Sequence, residues 1–100
     1  MATTTKALAR AAAATSSATL YTVPASTTTV ITNIVVTNSA ATAGTFTITL
    51  DAVDLFKDVA IAANTTAMFD LKQVLATTKI IAGLASATTV RFHISGVEIA

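Results

Sequence analysis

The chain has no cysteine and no tryptophan, one proline, three glycines and five aromatic residues among its 100. Each scarcity closes a route. Without cysteine there is no disulfide framework and no thiolate metal site, so a domain this small must draw its stability from packing or from assembly. The three glycines are isolated from one another, which excludes the glycine-rich loops that cradle phosphates. Charged residues make up only 11% of the chain, where an average soluble domain carries about a quarter. The net charge of +1 comes with no cluster of Lys and Arg, so neither nucleic acid nor an anionic membrane surface is expected as a partner. The mean hydropathy is high at +0.72, yet no run approaches the roughly 18 to 20 apolar residues of a spanning helix. Lys6 and Arg10 do precede Ala11–Ala14. Arg10, however, falls where a secretory signal would need its apolar stretch, and that argues against a cleaved leader.

What is present is apolar and hydroxylic. Hydrophobic residues form 53% of the chain, much of it alanine, and threonine dominates the polar remainder. One hundred residues fit one domain with a single modest core.

The organising stretch is Leu20 to Thr37, LYTVPASTTTVITNIVVT, where two runs rich in β-branched residues flank Pro24. Branching at Cβ costs rotamer freedom in a helix and packs well on a pleated sheet, so both runs predict strands. Pro24 has a fixed φ and no N–H, which suits a corner between them. Along the second run Val30, Ile34 and Val36 share one face and Ile31 and Val35 the other, as in a strand covered on both sides.

Further strands follow in order. Asn38 to Gly44 predicts a turn of small residues. In Thr45 to Leu50, Phe46, Ile48 and Leu50 alternate with threonines, which predicts an apolar face inward and a hydroxyl face outward. Asp51 to Asp54 is a polar break. Leu55 to Ile61 resumes less regularly, consistent with a bulge. Ala67, Phe69 and Leu71 mark a fifth strand, after which Lys72 to Ala76 loses the period of two and predicts one helical turn. Lys79 to Leu84 is a sixth strand, with Gly83 at a bulge or close approach. Thr89 to Ile99 is the last, where Val90, Phe92 and Ile94 point inward until Gly96; Val97 and Ile99 are expected to take over after a bulge there.

The pattern predicts an all-β, antiparallel sandwich, jelly-roll-like or a small barrel, of about seven to eight strands over residues 19–100. Its expected core contains Leu20, Ile34, Val36, Phe46, Ile48, Leu50, Phe69, Leu71, Phe92 and Ile94. Residues 1–18 differ in composition and read as an N-terminal arm, extended or short-helical. Lys6 to Ala14 has high helix propensity, with Thr5 as a cap, but is too short to be stable alone. Lacking large apolar residues, the arm is expected to lie on a neighbouring chain.

Candidate chemistry is thin. His93 is the only histidine and shares a strand face with Arg91 and Ser95; with no cysteine and no acid at ligand spacing it reads as an exposed or interface residue. Asp51, Asp54 and Asp58 lack the alternate-residue spacing of an EF-hand and read as solvated turn residues. Ser95 precedes Gly96 without a G-x-S-x-G elbow around it. No catalytic, cofactor-binding or metal residue is assigned, and no enzymatic activity is expected.

Several strand and turn sequences carry a resemblance. LYTVPAS, VITNIVVTN, TFTI, AANTTAMFDLKQVL and HISGVEI, together spanning about Thr19 to Ile99, resemble small β-sandwich virion structural proteins of tailed bacteriophages, of the capsid decoration or cement type. The resemblance implies a protein on the outer capsid surface of the virion that contacts the major capsid protein. It also implies self-association, commonly as a trimer. Tail, collar and head-fibre components belong to the same resemblance. A receptor- or carbohydrate-binding sandwich is the alternative from another class, and it would want aromatic platforms that five aromatics, mostly at core parity, do not supply.

Overall fold

The computed structural model describes residues 3–100. Eight strands run β1 (Thr3–Ala12), β2 (Ala18–Thr22), β3 (Thr28–Asn38), β4 (Gly44–Leu50), β5 (Val53–Ile61), β6 (Thr65–Leu75), β7 (Ile80–Ala85) and β8 (Val90–Ile99). They form two four-stranded antiparallel sheets, β1-β8-β3-β6 and β2-β7-β4-β5. Only β4 and β5 are sequential neighbours within one sheet; every other connection crosses the sandwich. This strand order is that of an eight-stranded jelly roll, two interleaved Greek keys closed over one core.

The core lies between the sheets. Phe46, Phe92, Ile31, Ile34, Ile48, Ile81 and Ile94 are fully buried, and Phe46 touches Phe56, Phe69 and Phe92 at ring-centroid distances of 5.9, 6.1 and 6.1 Å. Seven of the ten expected core residues are buried, while Leu20, Phe69 and Leu71 pack half-buried against them. Ile61, Leu75, Ile81 and Val90 complete the core, and Leu8, Tyr21 and Val23 join it without having been anticipated.

Four local expectations are corrected. Thr3–Ala12 is not a helix or an arm but the edge strand β1, paired with β8 of its own chain. Ladder hydrogen bonds and burial of Leu8 outweigh a helix propensity that two and a half turns are too short to express. Met1 and Ala2, the start of the arm as read, lie outside the described residues. The helical turn over Lys72 to Ala76 is likewise absent, because β6 stays paired with β3 as far as Leu75.

The third correction concerns the faces of β3. An irregularity at Thr32, between Ile31 and Asn33, lets Ile31, Ile34 and Val36 all reach the core, whereas strict alternation separated Ile31 from the others. The fourth is the bulge expected in β8 at Gly96. β8 keeps its parity, and its two neighbours carry the irregularities instead, β1 between Ala7 and Ala9 and β3 at Thr32. Gly96 pairs with Ile31, next to the irregularity in β3, and with Lys6, one residue before that in β1. A Cβ there would collide with the Val30 carbonyl oxygen and approach Leu8 Cδ1 to 2.9 Å, so the close approach of three strands requires glycine. Gly83 serves the same purpose in β7, since a Cβ would come within 3.0 Å of Leu20 Cδ1 and 3.3 Å of the Thr47 carbonyl.

Candidate functional site

Because β8 keeps its alternation through Gly96, Glu98 falls on the core-facing side of its sheet, and the structure places a polar cluster there. Tyr21, on β2 of the opposite sheet, donates its hydroxyl to Glu98 Oε2 and lies 2.9 Å from Thr29 Oγ1 on β3. Lys6 Nζ on β1 donates to Glu98 Oε1 at 3.4 Å. Three strands of one sheet and one of the other therefore meet in a single network at one end of the sandwich.

Its electrostatics follow from this geometry. The Tyr21 phenol is pushed above its ordinary pKa, chiefly by burial and then by its bond to the Glu98 carboxylate. The Glu98 carboxyl is held below the usual carboxylate range, first by the Tyr21 hydroxyl and further by Lys6, against an opposing desolvation. Each group is thus fixed in its ordinary ionisation state at neutral pH. With Glu98 side-chain exposure at 14% and Thr29 fully buried, there is little room for a substrate to reach the hydroxyl. The cluster acts as a polar clasp between sheets.

The residues singled out from sequence are dispersed. His93 is exposed on the outer face of the β1-β8-β3-β6 sheet, level with Arg10 and Val35. Ser95 shares that face, level with Ala7 and Asn33. Arg91 donates to Ser39 Oγ at 2.9 Å, tying the end of β8 to the loop after β3. Asp51 sits in the β4–β5 hairpin 3.6 Å from Lys79 Nζ. Asp58 accepts from the Thr47 hydroxyl, and its own N–H bonds Thr47 Oγ1 at 3.0 Å, which accounts for the burial of a threonine expected to face water. Asp54 borders a shallow, open depression of about 130 Å³ with Leu50, Val53, Leu55 and Gln73. Among the described residues no three His, Cys, Asp or Glu side chains are grouped closely enough to hold a metal ion.

The broadest feature is the outer face of the β1-β8-β3-β6 sheet. Pairing sets Thr5, Val97, Val30 and Val74 in one cross-strand row. Another row runs Arg10, His93, Val35 and Met68. Such a face, apolar and hydroxylic with few charges, suits contact with another protein surface better than capture of a small molecule. Compared with known proteins, the chain matches no family model, no curated protein and no solved structure.

Proposed function

We propose that this chain is a structural subunit of a virion, a capsid decoration protein of a tailed bacteriophage that sits on the outer head surface and stabilises it by bridging capsomers. The observation that carries this reading is the jelly-roll strand order, an architecture that recurs in viral capsid domains. That argument is one of fold analogy.

Surface chemistry separates this reading from the carbohydrate-binding one, since lectins also use the jelly roll. A sugar site wants an exposed aromatic ring. Here Phe46, Phe92 and Tyr21 are buried and Phe56 and Phe69 are half-buried, packed 4.6 Å apart between the sheets. The partners proposed are the major capsid protein and further copies of this chain. No enzymatic role, cofactor, nucleic acid or membrane enters the proposal.

A threonine-rich, charge-poor surface attaches by many modest hydrogen bonds and apolar contacts, which salt does not screen. The purified protein, added to heads lacking it, is therefore expected to co-sediment equally in low salt and in molar salt. Absence of head binding, or attachment to tails only, would overturn the capsid assignment.

A further inference from the structure

Among the described residues, two of the three large apolar side chains that stand well out in solvent lie on one strand, Met68 at 75% and Val74 at 68% exposure. That strand, β6, is the edge of its sheet, hydrogen-bonded to β3 on one side only. Between Met68 and Val74 on the same outer face are Asp70 and Lys72, both exposed and in no ion pair among the described residues. The face thus reads apolar, acidic, basic, apolar.

This order is complementary to itself when reversed. In an antiparallel ladder, residues directly opposite share a face. A two-fold axis through Leu71 would set Met68 against the partner's Val74 and Asp70 against the partner's Lys72, each contact occurring twice. On the inner face Leu71 would meet the partner's Leu71, and Phe69 the partner's Gln73. Moving the axis one residue either way faces Asp70 with the partner's Asp70, or Lys72 with the partner's Lys72. Only one register satisfies both the charges and the apolar pair.

We propose that two copies of this chain join edge to edge along β6, antiparallel about a two-fold at Leu71, into one continuous eight-stranded sheet. Edge N–H and C=O groups would complete their ladder on the partner. Charges on an edge strand ordinarily block such pairing; here their opposite signs and two-residue spacing admit one partner and one register. The outer apolar row of Val97, Val30 and Val74 would continue across the junction onto the partner's Met68 and Val35. The other edges fit less well. β2 has five residues, β1 carries only basic charge, and β5 shifts register twice along its ladder, with Asp58 at φ 48, where β6 shifts once, between Asp70 and Gln73.

The inference concerns the chain alone and does not rest on the capsid reading. Its symmetry is two-fold, where the resemblance implies a trimer, and analytical ultracentrifugation of the full chain tells them apart. The expected species is a concentration-dependent dimer. Asp70→Lys places lysine against lysine at both contacts and should weaken the dimer by on the order of tenfold, as should Lys72→Asp through paired aspartates. Mixing the two variants, or combining both substitutions in one chain, should restore it, with circular dichroism confirming that each variant is folded. Leu71→Cys, in a chain with no other cysteine, should crosslink to itself on oxidation, since opposed residues stand about 4.5 to 5.5 Å apart at Cα. A monomer or trimer at every concentration would overturn the proposal. So would charge variants that pair as tightly as the original, or a Leu71→Cys variant that forms no crosslinked dimer.

Discussion

Tyr21 on β2 donates its hydroxyl across the sandwich to the Glu98 carboxylate on β8, so the two sheets are joined by a charge-assisted hydrogen bond as well as by their apolar core. Such bonds are stronger than neutral ones. Tyr21→Phe keeps the ring and removes the donor, leaving Thr29 and Glu98 without it. The expected cost is about 1 to 3 kcal/mol, measured by urea unfolding.

The same pair sets a pH dependence. Glu98 has its pKa lowered in the folded state, so its contribution is present above the unfolded carboxylate pKa and is lost as pH falls through the folded value. Tyr21 has its pKa raised, so its contribution is present below the unfolded phenol pKa and is lost as pH rises through the folded value. Melting temperature should therefore be flat from about pH 5 to pH 9 and fall on both sides. Glu98→Gln should flatten the acid limb; an unchanged acid limb would show that other carboxylates set it.

Gly96→Ala should destabilise the fold by at least about 1 to 3 kcal/mol, the usual range for overpacking, because the added methyl meets the Val30 carbonyl. A thermal melt unchanged by the substitution would contradict the close approach of β8 to β3.

The β4–β5 hairpin turns through Asp51 and Ala52, at φ 52 and 62, between the paired residues Leu50 and Val53. Two residues with positive φ match a type I′ turn, which prefers Asp-Gly. Alanine in the left-handed region costs about 1 kcal/mol or more. Ala52→Gly should raise the melting temperature by a few degrees, and no rise would mean the turn is otherwise relaxed.

Deleting residues 1–12 should remove β1, uncover the edge of β8 and expose the core around Leu8. The expected outcome is loss of cooperative unfolding or aggregation. A truncated chain that melts as the full one does would restore the view of this segment as an arm.

These outcomes follow how the fold is written in the sequence. Phe46, Ile48 and Leu50 were legible because a threonine separates each from the next, and no other element competes for that period. Residues 3–12 were not, because alanine favours a helix over a strand, and what decides is the partner β8, some ninety residues away. Ile31 was misplaced for a related reason: the irregularities lie in β1 and β3, while the glycine packed against them lies in β8. The Tyr21–Glu98 clasp could have been found by letting β8 alternate through Gly96, which puts the only glutamate opposite the core. The β6 edge was hidden by the helical turn read into Lys72 to Ala76, which removed Val74 from the strand that gives it a partner in Met68.

The capsid reading predicts that this protein resists the pressure of a packaged genome. Heads complete with the protein and heads from which it has been deleted can be warmed in parallel while released DNA is followed by dye fluorescence. The account predicts that heads without it release their genome at a lower temperature, and that adding back the purified protein restores the original one. Equal release temperatures for the two kinds of head would contradict it.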